Sequence, residues 1–253
     1  MDNKLISRIN ELQSQVSGLR PYEDNMLVQL RKYYRVGLTW TSNAIEGSSY
    51  TESETKILLE DGVTVAGKTL QETFAALGHA KAYDYMFSLL KQEGITEEDV
   101  LAMHGLMEGG LEIGEVGKYR TRAVFVTGSS FKFPSAGDIP DLMKEFFTKT
   151  MPQMAPLHPV VRAAKIHEHL VTIHPFADGN GRIARLAMNT TLIQNGFLPV
   201  QIHPIIRKEY IDSLRIAQLT GNSQEFVRLI LQQEVESQKE VLRIVGQVPS
   251  TSS

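Results

Sequence analysis

Residues 174–185 read His-Pro-Phe-Ala-Asp-Gly-Asn-Gly-Arg-Ile-Ala-Arg, and the chain on either side of them reads as helix. Upstream, Ala163, His167, Leu170 and Val171 form a helical stripe that leads to His174, and Pro175 stops it. Downstream, Asp178 is a natural N-cap, and Gly179 to Gly181 place side-chain-free backbone at the start of a second helix. Free N–H groups at such a helix start, with the positive end of its dipole, bind anions. Ile183, Leu186, Ala187, Thr190 and Ile193 give this helix a face to bury. Arg182, Arg185 and Asn189 fall on one stripe beside it, because positions three and four apart are helical neighbours. Two arginines over a glycine-lined helix start form a clamp for a polyphosphate. An acid in the loop, Asp178, suits Mg²⁺, which takes few carboxylates plus phosphate oxygens.

Working outward, the predicted fold class is mostly α with one β-hairpin. Leu5, Ile9, Leu12 and Val16 mark an opening amphipathic helix, and a second is expected from Pro21 to about Leu38. Thr69-Leu70-Gln71-Glu72 fits a capping box, after which Leu70, Phe74, Leu77, Tyr85 and Leu89 are expected to be buried. Thr96 and Asp99 repeat the box before Val100, Leu101 and Met103. Further helices are expected at about 139–149, 158–173, 180–195, 205–220 and 223–245, with a frayed tail beyond them. Between Ala123 and Pro134, two short β-type runs flank the turn Thr127-Gly128-Ser129-Ser130, the pattern of a hairpin.

The 253 residues suit one large domain or two small ones, and no repeat or long linker divides them. A net charge of −3 argues against a broad basic face for duplex nucleic acid. The absence of cysteine excludes disulfides, a thiolate zinc site and a cysteine nucleophile. No apolar run approaches a membrane span, and the first residues do not read as a signal peptide, so a cytoplasmic protein is expected. Residues 62–69, GVTVAGKT, match the P-loop pattern literally, but an acidic helix-like stretch precedes them and the loop interior is β-branched. They read as a surface turn in which Thr69 caps the next helix. His167, His169 and His174 are not spaced as H-E-x-x-H, so zinc hydrolase chemistry is not expected.

The stretch HPFADGNGRIAR resembles the Fic family signature H-x-F-x-[DE]-G-N-G-R-x-x-R at every fixed position, and the layout is similar from about Ile95 to Val235. The resemblance implies a helical enzyme that transfers AMP from ATP to a Tyr, Ser or Thr hydroxyl of a protein target, with Mg²⁺. His174 would be the general base, Phe176 a buried anchor and Asp178 the metal ligand. Gly179, Asn180 and Gly181 would bind the inner phosphates, and Arg182 and Arg185 the outer ones. The Gly-Asn-Gly loop differs from that of the family's kinase variant. The hairpin, with Gly128, Ser129, Ser130 and Phe131, would be a flap that takes a target segment as an added strand. Tyr210 and Gln218 fall where adenine contacts are expected.

Ser42-Asn-Ala-Ile-Glu46-Gly47 resembles the inhibitory helix of Fic proteins that carry it before the catalytic core. The implied arrangement is residues 1–94 as an N-terminal helical region with that helix at about 39–47, then 95–235 as the catalytic domain, then 236–253 as helix end and tail. Glu46 would pair with Arg185 and withhold it from the γ-phosphate. Two alternatives are a de-AMPylating hydrolase using the same pocket and a non-catalytic helical binding or regulatory module. Self-modification and a homodimer are compatible with the sequence, which places neither.

Overall fold

The computed structural model describes residues 2–20, 24–110, 115–125 and 131–246. Eleven α-helices succeed one another among them: α1 Asn3–Gly18, α2 Asp24–Ile45, α3 Glu52–Lys56, α4 Leu70–Ser88, α5 Glu97–Glu108 and α6 Ile139–Glu145. They continue with α7 Met151–Gln153, α8 Pro159–Ile173, α9 Asn180–Gln194, α10 Arg207–Thr220 and α11 Gln224–Gly246. Reciprocal capping boxes open α3, α4 and α5 at Thr51/Glu54, Thr69/Glu72 and Thr96/Asp99. Each box satisfies two of the N–H groups that a helix start leaves without partners. No helix among the described residues is long and apolar enough to cross a membrane.

One hydrophobic core runs from Ile9, Leu12 and Val16 on α1 to Val235 and Val241 on α11. It passes through all three expected segments, so the N-terminal helices and the motif share one body. At its centre α9 is buried on nearly every face, Ile183 through Ile193. Helices α8 and α9 pack against each other around the loop that joins them.

Three expectations change. The second helix does not stop near Leu38; α2 runs on to Ile45, so Ser42–Ile45 is its last turn and Glu46 follows directly. On α4 the buried side is not the one carrying Leu70 and Phe74, which are 72 % and 39 % exposed. The buried side carries Thr73, Ala76, Ala80, Tyr83 and Met86, because α4 lies close to α5. A Cβ on Gly78 would strike the Met107 carbonyl oxygen. Small residues mark that approach, and their low apolar weight hides it from a search for large side chains.

No strand occurs among the described residues, and the expected hairpin is not seen. Its centre, including Gly128, Ser129 and Ser130, lies outside the described residues. Its described arms form no ladder, and a side chain bonds the backbone at their outer ends. Arg120 donates to the carbonyl oxygens of Arg122 and Pro134 at 3.0 and 2.7 Å. Phe131 meets Phe133 edge-on at 5.2 Å, and Phe133 packs on the His174 ring at 4.3 Å.

Candidate active site

His174 ends α8 in the left-handed region, φ 54 and ψ 60, and it is the one non-glycine residue with positive φ among those described. That conformation costs an L-residue about 1–2 kcal/mol, and the surrounding bonds hold it. The His174 N–H donates to the Leu170 carbonyl at 2.9 Å, and Arg120 Nε donates to the His174 carbonyl at 2.8 Å. The Arg120 N–H adds a bond to the Pro175 carbonyl at 2.9 Å. His174 Nδ1 lies 3.3 Å from the Val171 carbonyl, so with the proton there Nε2 is the free acceptor. Burial, chiefly, lowers the His174 pKa to about 4, so the ring is neutral at pH 7.

The loop is closed from inside. Phe176 is fully buried and stacks on His104 at 3.8 Å with the rings 6° apart. Asn180 accepts from the Phe176 N–H and donates to the Phe176 carbonyl, both at 2.8 Å. The Asn180 side chain is thus a clamp on the loop, which leaves its main-chain N–H for an anion. His104 Nδ1 accepts from Gly117 N–H at 3.0 Å and Nε2 faces the Asp178 carbonyl at 3.3 Å. Burial lowers its pKa to about 4, which keeps that acceptor neutral.

The N-cap of α9 is Gly179, with φ 76, rather than Asp178. Only a residue tolerant of the left-handed region fits there, and a side chain would strike Met107 and Glu108. Asp178 instead accepts from the Gly179 N–H at 2.6 Å. The first helical bond of α9 is donated by Ile183 to Gly179, so the N–H groups of Asn180, Gly181 and Arg182 precede it. Glu46 reaches this nest: a Cβ on Gly181 would lie 2.6 Å from Glu46 Oε1. A carboxylate therefore already lies beside the start of α9.

Arg185 is buried and fully engaged. It donates through Nε to Ser42 Oγ at 2.9 Å, and through one terminal nitrogen to the Ser42 carbonyl at 3.0 Å and Glu46 Oε1 at 2.6 Å. Its other terminal nitrogen donates to Tyr210 Oη at 3.1 Å. Tyr210 in turn lies 2.8 Å from His167 Nε2, and burial raises its pKa, so the hydroxyl keeps its proton. Of the two expected adenine contacts, Tyr210 braces Arg185, and Gln218 Nε2 donates at 3.4 Å to the Val171 carbonyl in the last turn of α8. Arg182 pairs with Glu108 at 3.0 Å and more loosely with Asp178 at 3.5 Å. Asn189 does not join the clamp; it bonds the Val200 N–H and carbonyl at 2.8 and 3.1 Å.

The P-loop-like turn is tied up elsewhere. Lys68 pairs with Glu54 at 2.8 Å, donates to the Ser49 carbonyl at 2.6 Å and sits over the Tyr50 ring, while helix precedes the turn. No group of three or more His, Cys, Asp or Glu able to hold a metal occurs among the described residues. Sequence reasoning missed Arg120, His104, Glu108 and Arg207. None belongs to a motif read from the sequence, and contacts between residues far apart in the chain give no periodic signal.

A histidine in the left-handed region, a glycine turn at a helix start and two buried arginines between packed helices make up the site. Residues 94–192 match the model of the Fic/DOC family. Over 260 residues the chain is 30 % identical to protein adenylyltransferase fic-1 of Caenorhabditis briggsae, a match covering 100 % of this chain and 49 % of that protein. It is 35 % identical over 234 residues to protein adenylyltransferase Fic of Aedes aegypti, covering 91 % and 46 % respectively. A crystal structure of a Fic-domain-containing signaling protein from Bacteroides thetaiotaomicron shares the fold, with a TM-score of 0.87 at 24 % identity. That likeness covers 95 % of this chain and 99 % of the other. The chain spans about half the length of the curated relatives it matches.

Proposed function

We propose that the chain is a protein adenylyltransferase that moves AMP from ATP to a hydroxyl side chain of a protein target, and that Glu46 restrains it. The observation that carries this reading is Glu46 Oε1 bonded to Arg185 at 2.6 Å while lying over Gly181 at the start of α9. The carboxylate stands where a phosphate would stand and holds the cation a phosphate would need. The names of the relatives at 30 % and 35 % identity support the chemistry.

In the transfer, the target hydroxyl oxygen bonds to the α-phosphorus, the α–β bridging bond breaks, and pyrophosphate leaves. The hydroxyl proton passes to His174 Nε2. A neutral ring suits that role, and phosphate charge drawn in beside it strengthens it as a base. The N–H groups of Asn180, Gly181 and Arg182 orient the inner phosphates; Arg185, once freed from Glu46, would meet the outermost one. Asp178 is the residue suited to Mg²⁺: its side chain is 62 % exposed beside the nest, and a single carboxylate plus phosphate oxygens is a donor set this ion accepts. Bound there, the ion would offset phosphate charge. Phe133 packs on His174, which supports the segment around 123–134 as the side from which a target enters.

Removal of AMP from a modified target is the second reading. It is favoured by the Glu46 carboxylate, which is 44 % exposed beside the nest and so able to hold a water. The test follows protein labelling with ATP labelled on the α- or the γ-phosphate, using Glu46→Gly, Glu46→Gly/His174→Ala and Glu46→Gly/Lys68→Ala. The expected result is α-label only, abolished with His174→Ala and retained with Lys68→Ala. Transfer of γ-label would mean a kinase. No transfer, together with AMP release that requires Glu46, would mean the hydrolase.

A further inference from the structure

Glu108 is the last residue of α5, almost wholly buried, and it ends beneath the glycine turn. A Cβ on Gly179 would lie 2.8 Å from its Oε1. Its one ion partner among the described residues is Arg182, at 3.0 Å. Neither carboxylate oxygen makes an aligned hydrogen bond, and Arg182 Nε is also unbonded. A carboxylate so placed is expensive, and one charge partner offsets the loss of water only in part. Packing alone does not ask for it, since the adjacent Met107 reaches the same glycine turn with apolar atoms.

The terminal nitrogen of Arg182 that meets Glu108 also lies 3.5 Å from Asp178 Oδ2. One cation thus stands between a fixed, buried carboxylate and a loose, exposed one. We infer that Glu108 is a positioning residue for the cation–nucleotide site: it holds Arg182 at the floor of the glycine turn and so leaves Asp178 available to Mg²⁺. The inference rests on the reading of Asp178 as the magnesium ligand. Without the Glu108 charge, the guanidinium closes on Asp178, and Mg²⁺ has to displace it.

The test is calorimetric titration of ATP into the full chain carrying Glu46→Gly, repeated over a series of Mg²⁺ concentrations. The quantity read is the Mg²⁺ concentration that gives half-maximal ATP binding. Adding Glu108→Gln should raise it about fivefold, the order expected for one partly exposed ion pair gained by Asp178. Glu108→Leu removes the charge without leaving polar atoms to satisfy, and it should shift the midpoint in the same direction. With Asp178→Asn also present, Glu108→Gln should no longer move the midpoint. A melting temperature that changes while the Mg²⁺ midpoint stays within about twofold of the parent overturns the inference and makes Glu108 structural only. A parent that binds ATP with no Mg²⁺ dependence overturns the reading of Asp178 first, and the inference with it.

Discussion

Side chains outside the motif hold His174 in place. Arg120 joins the His174 carbonyl, the Arg122 carbonyl and the Pro134 carbonyl with one guanidinium. Arg120→Ala in a Glu46→Gly background should therefore lower the rate of AMP transfer by about a hundredfold, the size of effect known for a misplaced group. Arg120→Lys should recover little, since an ammonium lacks the fork that spans three carbonyls; initial rates of label incorporation decide it. Asn180→Ala strips the Phe176 N–H and carbonyl of their partners, and urea unfolding should show a loss of about 2 kcal/mol. Asn180→Asp should not restore it, because it offers no donor to the carbonyl. The local geometry around 174–185 is legible in sequence because it depends on neighbours: Pro175 ends a helix and the glycines open the next. Arg120 and Glu108 are not, because their partners lie 54 and 74 positions away. The sequence points to Asp178 as the N-cap and the structure to Gly179, because an Asx side chain bonds either to a helix start or to its own next N–H. Here it takes the second.

At the scale of elements, the proposed restraint is Glu46, directly after the last turn of α2. That turn is held by Arg207, whose Nε donates to the Ile45 carbonyl at 2.6 Å, one of the orphan carbonyls at the helix end. Tyr210, on the same helix α10, grips Arg185. Helix α10 thus fixes both partners of the Glu46–Arg185 pair. Arg207→Ala should free the end of α2 and raise transfer above wild type by about threefold, as expected for one charge-assisted bond, and stay below Glu46→Gly; label incorporation on a common target checks it. Gly47 sits at φ 102 with open space around it, so Gly47→Ala should act in the same direction through backbone strain alone. Helix positions are legible in advance from caps and periodicity. The continuity of α2 through Ser42 and the buried side of α4 are not, since tertiary contact with Ile45 and Met107 sets them.

At the scale of the whole molecule, one core joins α1 to α11 through the buried motif, so stability and site should respond together. His79, His104 and His174 are held neutral chiefly by burial, with pKa values lowered to about 3, 4 and 4. An unfolded histidine titrates near ~6.5. Stability from these groups is therefore full above that value and falls as pH drops from about 6.5 toward 4. Urea midpoints at pH 7.5, 5.5 and 4.5 should decline in that order, and a flat series would contradict the burial of these rings. We propose that the same body contains both a competent adenylyltransferase and its restraint. The most direct measurement compares the initial rate of α-phosphate label transfer by wild type and by Glu46→Gly on the same target with Mg²⁺ and ATP. The structure predicts transfer at least about tenfold faster in Glu46→Gly, since the variant clears both the nest and Arg185. Equal rates would show that the Glu46 contact restrains nothing.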